Sequence, residues 1–297
     1  MFDVIVAGGS YAGMAAALQL VRARRKVLVV DAGQRRNRYA HVAHGLLGQD
    51  GRTPDAIHAD AKSQLTDYPD LTWREGRIVA AERDGDGFAV HTADGERAHA
   101  RRLVLATGVS DHLPQVPGLA ERWGGTVVPC PYCHGYEFER GRLGVLAAGA
   151  LSMHQAILIP EWAGSTVLFT NEAFEPDAHQ LAQLASRQVA IERTPVAEVF
   201  GDGASVRLRD GRVVELDGLF VATRIVQDPL AARLGCAFVG GPMGELIGTD
   251  DFKMTSVPGV FACGDAARMM ASLSLAIADG ALAGIGAHRS LVFEGLE

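Results

Sequence analysis

Four apolar residues, Val4-Ile5-Val6-Ala7, run straight into Gly8-Gly9-Ser10-Tyr11-Ala12-Gly13. From Ala12 the apolar positions recur at helical spacing through Met14, Leu18 and Val21, and a second apolar run, Val27-Leu28-Val29-Val30, ends on Asp31. Strand, glycine turn, helix and strand within about 30 residues make a βαβ unit. Two parallel strands need such a crossover, so the start of the chain commits it to a parallel sheet. The turn matches Gly-x-Gly-x-x-Gly at its first and third positions, with Ser10 in the second. Gly8 permits the sharp turn, and a small second residue lets the backbone approach a pyrophosphate. The helix start then offers unpaired N–H donors and a partial positive charge. Asp31 closes the next strand about 20 residues on, where a carboxylate accepts hydrogen bonds from ribose hydroxyls. A tight turn in a generic α/β sheet is the plainer reading. The spacing and Asp31 together favour dinucleotide binding, with Gly8, Ser10, Ala12, Gly13 and Asp31 as contacts.

The pattern returns further along. Between Leu71 and Leu105, Asp84-Gly85-Asp86-Gly87 and Asp94-Gly95 mark turns, which predicts a small antiparallel meander leading into Leu103-Val104-Leu105 and Ala106-Thr107-Gly108. A second βαβ unit starts at Gly144-Val145-Leu146, with a helix from about Ser152 and a strand over Thr166-Val167-Leu168-Phe169. A second meander spans Val189 to Leu219, followed by the strand Leu219-Phe220-Val221-Ala222. The last segment resembles the opening one. Val260-Phe261-Ala262-Cys263 stops at Gly264-Asp265, and an Ala- and Leu-rich helix runs from about Ser272 to the late 280s. The expected fold is therefore α/β, with two Rossmann-like three-layer (ββα) dinucleotide-binding domains, the second inserted into the first. Residues 1–113 and 247–297 form one and residues 114–246 the other. A length of 297 residues agrees with two domains of about 150 each.

Composition narrows the function. Hydrophobic residues make up 48% of the chain, enough to bury a core and exclude disorder as the main state. The net charge of −7 offers no basic field for nucleic acid. No apolar run reaches the roughly 18 residues a membrane span needs. Asp3 precedes the first apolar run and Arg22, Arg24, Arg25 and Lys26 follow it, the reverse of a signal peptide. The chain thus reads as cytoplasmic, without a nucleic-acid or membrane partner.

Cys130-Pro131-Tyr132-Cys133-His134-Gly135 carries the sharpest chemistry. Two cysteines at this spacing can close a small disulfide ring and stabilise one thiolate. His134 stands beside them as an acid or base near neutral pH. Half of a zinc site is the competing reading. It requires two further ligands, whereas Cys236 and Cys263 are isolated in apolar settings and read as core. No metal site is expected. Cys-Pro-Tyr-Cys also occurs in glutaredoxins, but here it lies mid-chain ahead of a dinucleotide-type βαβ unit. At Gly264-Asp265 a carboxylate ends a strand before a helix. It is either a helix cap or, with the first turn, part of a site for an extended cofactor.

Taken together, Gly8–Gly13, Ala106-Thr107-Gly108, Cys130–Gly135 and Thr255-Ser256-Val257-Pro258-Gly259-Val260-Phe261-Ala262-Cys263-Gly264-Asp265 resemble the low-molecular-weight thioredoxin reductase family of flavoprotein disulfide oxidoreductases. The resemblance covers essentially the whole chain. It implies FAD in the first domain, held by the first turn, Asn37, Arg38, the Ala106–Gly108 segment, Gly264 and Asp265, with Ser272 and Leu273 near the isoalloxazine. It implies NADPH and the redox pair in the second domain. Cys133 would lie against the flavin as the charge-transfer thiolate, and Cys130 would be the interchange thiol that meets substrate. His41 and His44 fall in a loop that the family places near the flavin; surface histidines are the blander reading. The family is typically homodimeric.

Two departures redirect the expectation. Thioredoxin reductases usually carry Asp after the second Cys, whereas His134 here resembles the dithiol oxidase branch that makes gliotoxin- and holomycin-type disulfides. The second nucleotide turn reads Ala147-Ala148-Gly149-Ala150-Leu151-Ser152 in place of Gly-x-Gly-x-x-Ala, and Phe169-Thr170-Asn171-Glu172 replaces a His-Arg-Arg run. A methyl at Ala147 crowds the turn, and Glu172 repels a 2′-phosphate. The expected function is an FAD-dependent thiol–disulfide oxidoreductase of dithiol-oxidase type that binds NADPH poorly or not at all. Its partner would be a small dithiol or disulfide, or a thioredoxin-like protein. The alternatives are a thioredoxin-disulfide reductase fed by NADPH or another donor, a flavin-based redox-sensing module, and a flavin monooxygenase. Tyr136, Glu137 and Phe138 line an approach path or belong to the core.

Overall fold

In the computed structural model, which describes residues 1–296, Phe2–Ala7 (β1) lies parallel to Val27–Asp31 (β2), with Tyr11–Arg22 (α1) crossing between them. Val4, Ile5, Val6, Val27, Leu28 and Val29 are wholly buried, as expected of strands covered on both faces. Pro54–Thr66 (α2) leads to Leu71–Glu75 (β3), which extends the parallel sheet beyond β2. Only Ile78–Asp84 (β4), Gly87–Thr92 (β5) and Arg97–Leu105 (β6) form the antiparallel meander expected from Leu71 onward. The glycine turns locate its hairpins. Which distant strand Leu71–Glu75 joins leaves no local mark. β6 pairs antiparallel with β5 through its first half, and parallel with β1 and the late strand Val260–Ala262 through its second.

Beyond the short strand Val109–His112 (β7), a second parallel sheet forms. Its members are Val127–Val128 (β8), Arg142–Leu146 (β9), Ser165–Phe169 (β10) and Val189–Glu192 (β11). Pro131–His134 (α3), Ser152–Leu158 (α4) and Ala178–Ser186 (α5) alternate with them. Val196–Phe200 (β12), Ser205–Leu208 (β13) and Val213–Val214 (β14) make a separate antiparallel sheet. Gly218–Val221 (β15) then enters the parallel sheet, giving the order β11-β10-β9-β15-β8. As in the first half, the opening strand of the expected meander, β11, joins the parallel sheet instead.

Arg224–Gln227 (β16) precedes Leu230–Arg233 (α6), the hairpin Phe238–Gly241 (β17) and Gly244–Ile247 (β18), then Val260–Ala262 (β19) and Leu273–Val292 (α7). The chain divides into two compact units. Met1–Arg38, Leu46–Ser110 and the residues from Val226 onward form one, while Tyr39–Gly45 and Asp111–Ile225 form the other. The chain re-enters the first unit at 226, ahead of the expected 247, because Leu230, Ala231, Cys236 and Ile247 pack into the core around Leu28, Ile78 and Leu103. Within the first unit α1 and α7 touch through small residues. A Cβ at Gly280 would stand 2.0 Å from the Ala12 carbonyl oxygen, and one at Gly284 2.5 Å from that of Ala16. No helix among the described residues is long and apolar enough to cross a membrane.

Candidate active site and cofactor cleft

The first glycine turn lies in a cleft lined by Ala7, Gly8, Ser10, Asp31, Arg35 and Thr107, among others. Its glycines are sterically required. Gly8 has φ +103°, and a Cβ there would sit 2.3 Å from the Ala106 carbonyl oxygen; at Gly13 it would sit 1.9 Å from that of Gly8. Ser10 begins α1 without capping it through its side chain, and the first turn holds no acidic residue, so its amides are free to meet an anion. Asp31 accepts a 3.0 Å hydrogen bond from the Gly9 N–H, which fixes the turn to the end of β2. His58 Nε2 donates to the Gly9 carbonyl at 3.1 Å, and burial holds its pKa below the usual histidine value. Asn37 reaches the Tyr11 hydroxyl at 3.4 Å, whereas Arg38 turns back to the Arg35 carbonyl. Ala12 is buried against the Gly264 and Gly280 backbones. Gly108 takes φ +61° directly before β7.

The Gly264–Asp265 turn packs on α1, since a Cβ at Gly264, φ +70°, would stand 2.8 Å from that of Ala12. Arg36 pairs with Asp265 at 2.8 Å. Asp279 on α7 is fully buried; it accepts from the Gly264 N–H at 3.0 Å and pairs with Lys253 at 2.5 Å and Arg268 at 3.3 Å. Ser272 caps α7 by accepting from the Leu275 N–H, with Leu273 as its first residue. Sequence patterns alone do not reveal Arg36 or Asp279. The one available signal is a lone carboxylate in the small-residue run Ala278-Asp279-Gly280.

In the second unit Cys130 and Cys133 are joined in a disulfide across α3, with Cα atoms 5.4 Å apart. Buried Gln155 on α4 donates to the Pro129 carbonyl at 2.8 Å and so anchors the approach to Cys130. The ring of Trp162 fills the space a Cβ at Gly135 would need, and it meets Tyr132 edge-on at 5.2 Å. Both His134 ring nitrogens are buried and make no well-formed hydrogen bond among the described residues. Burial pushes the His134 pKa below the usual value; His44 adds to this, while the Cys130 backbone and Glu137 oppose it. His44 Nε2 lies 3.3 Å from Glu137 Oε1. Phe138 packs edge-on against Phe220 and is core, whereas Tyr136 is exposed. Cys236 and Cys263 are buried, and burial raises both thiol pKa values, as suits inert core cysteines.

The second glycine turn is occupied from within. Ser152 is fully buried, and its hydroxyl accepts from the Ala148 N–H at 3.1 Å. Ala147 is buried in the core of this unit. At the end of β10, Asn171 accepts from the Val196 N–H and Glu172 pairs with Arg209 at 3.4 Å.

A duplicated βαβ architecture with a glycine-cradled cleft and a Cys-x-x-Cys disulfide defines a class of nucleotide-binding α/β proteins that exchange electrons with sulfur. The model of the pyridine nucleotide-disulphide oxidoreductase family matches residues 2–280, and the chain belongs to that family. Thioredoxin reductase tcpT of Claviceps purpurea is 35% identical over 308 residues, covering 98% of this chain and 94% of the relative. Similar solved structures include an oxidoreductase from Agrobacterium tumefaciens (50% identity, TM-score 0.95, 99% of each chain). HlmI is another (34% identity, TM-score 0.92, 99% of this chain and 93% of that one). The chain is therefore a thioredoxin reductase-like flavoprotein oxidoreductase, an enzyme acting on a sulfur group.

Proposed function

We propose that the enzyme oxidises dithiols: it uses FAD in the first unit and the Cys130–Cys133 disulfide in the second, and does not draw on NADPH. The observation that carries this reading is His134, next in sequence to Cys133, with both ring nitrogens buried and without a well-formed hydrogen bond among the described residues. A buried polar group without a partner costs about 1–3 kcal/mol, a cost relieved when a substrate thiol donates to it. Its lowered pKa leaves the ring neutral and able to accept a proton at neutral pH.

The cradle at Gly8 and Gly13, the uncapped start of α1, Asp31 and the Arg36–Asp265 pair fit FAD. Ser10, Ala12, Asn37, Arg38, Ala106–Gly108, Ser272 and Leu273 complete the assigned contacts. When bound, FAD would supply a two-electron acceptor for the reduced cysteine pair, with oxygen or another oxidant as the final acceptor. The chain's own part is thiol chemistry. A substrate thiol loses its proton to His134 and attacks Cys130, and Cys133 leaves with the electron pair. The second substrate thiol then displaces Cys130, and the substrate departs as a disulfide. The self-capped turn at Ser152 supports the loss of NADPH binding, since the Ala148 amide a pyrophosphate would use is already taken.

Oxygen uptake with a panel of dithiols, run beside anaerobic titration with NADPH, tests the reading. Uptake with a dithiol and a flavin that NADPH leaves yellow are expected. Rapid bleaching by NADPH overturns it in favour of a second reading, reduction of a thioredoxin-like disulfide, which the name of the Claviceps relative favours. Cys130→Ser and Cys133→Ser should each abolish turnover while the protein stays yellow.

A further inference from the structure

Arg77 lies between β3 and β4, where β3 runs parallel to β2 and the Gly76 N–H donates to the Asp31 carbonyl at 2.8 Å. It therefore starts beside the carboxylate that, in a dinucleotide fold, accepts from the adenosine ribose. Its guanidinium reaches two segments remote in sequence. Nη1 pairs with Asp228 Oδ2 at 3.0 Å, and Nη2 donates to Gln34 Oε1 at 3.0 Å. Gln34 follows β2, and Asp228 precedes α6. All three residues line the same cleft as Gly8 and Asp31. Ile78 and Leu230 line it as well and belong to the core of the first unit, so this end offers apolar surface for a purine ring.

The far partner is itself held in place. Asp228 Oδ1 accepts from the Leu230 N–H at 3.0 Å, and Arg233 on α6 donates to the Val79 carbonyl at 2.6 Å. The Arg77 and Asp228 side chains are 48% and 18% exposed, and an ion pair so open to water adds little to fold stability. Its placement gives it another use, because it ties three separate stretches of the cleft lining together at one point.

We infer that Arg77, with Gln34 and Asp228, is a clasp that retains the adenosine half of FAD and so favours FAD over FMN, which lacks that half. The inference rests on the FAD assignment above. Asp228 is the positioning residue: its carboxylate aims the guanidinium, and the guanidinium bridges to Gln34 on the β2 side.

The test titrates the flavin-stripped full-length chain with FAD and with FMN, following flavin fluorescence, and uses ADP as a competitor. Arg77→Met should weaken FAD and ADP alike by about fivefold, the upper range for an exposed ion pair, and leave FMN unchanged. Asp228→Asn keeps an acceptor for the Leu230 N–H and should give a smaller loss. The double variant should lose no more than Arg77→Met alone, because the two side chains act as one unit. Denaturant unfolding of the stripped variants should stay near wild type. A merely structural role would weaken FMN as much as FAD, or would add in the double variant. Unchanged FAD affinity in Arg77→Met, a loss shared by FMN, additive losses, or no competition by millimolar ADP in the wild-type chain overturns the clasp. If the wild-type chain takes up no FAD at all, it is the cofactor assignment that fails.

Discussion

The two glycine turns of the molecule share one plan and differ in who uses their amides. In the first, Gly8 and Gly13 leave no room for a side chain, and no side chain caps α1. In the second, a Cβ at Gly149 would meet nothing within 4 Å, Ala147 is packed into the core, and Ser152 takes the Ala148 N–H. Beyond the strands the contrast repeats. Asp31 is tied to its own turn, whereas Asn171 and Glu172 are engaged by Val196 and Arg209. The lesson is that a βαβ fold stands without a ligand when a side chain satisfies the backbone donors a ligand would otherwise hold. The second unit keeps its sheet and carries the disulfide, while the open donors remain in the first.

The largest test of this contrast lies beside the first turn. Asp279→Ala leaves Lys253 and Arg268 without their buried carboxylate and frees the Gly264 N–H; a loss of about 3–5 kcal/mol is expected in denaturant unfolding, together with weaker flavin retention. Next come the glycines. Gly13→Ala should cost about 3 kcal/mol and give protein with little flavin absorbance, whereas Gly149→Ala should cost about 1 kcal/mol and leave the colour intact. Equal losses of colour would erase the distinction between the turns. Ser152→Ala should cost about 1 kcal/mol by orphaning the Ala148 amide. Combined with Ala147→Gly it restores Gly-x-Gly-x-x-Ala, and slow anaerobic bleaching by NADPH is expected where the parent shows none.

The smallest effect is set by pH. Arg212 holds the Glu192 carboxyl down at about 2, from an ordinary 4.5, aided by Thr194. A depressed carboxylate stabilises the fold above pH 4.5, and that contribution fades as pH falls towards 2. Because Arg212 is 56% exposed, solvent screening keeps the effect small. Arg212→Ala should therefore lower stability slightly at pH 7, and by less as pH falls towards 2, as read by denaturant unfolding at the two pH values.

Much of this is legible in the chain. Both βαβ units, the Cys pair and the strand into Gly264-Asp265 announce themselves through local patterns, because apolar period and glycine turns are local properties. Leu71–Glu75 and Val189–Glu192 read as parts of meanders because a strand's pattern does not name its partner, and both lie parallel in the main sheets. The return to the first unit is expected too late because Leu230, Ala231 and Cys236 show no period, yet they fill its core. His44 and Glu137 are far apart in sequence and become a pair only through folding. Ser152 stands in the place of an expected Ala, and nothing short of the fold shows its hydroxyl closing the turn.

The seam between α1 and α7 has a consequence for biosynthesis. The first unit needs β19 and α7 to complete its sheet and cover Ala12 and Ala16, so it stays unfinished on the ribosome until α7 has emerged. The inserted unit, complete in sequence by Ile225, can mature earlier. The opening βαβ unit is thus made before the inserted unit and finished after it, and its half-built sheet is the one in need of shelter while translation continues.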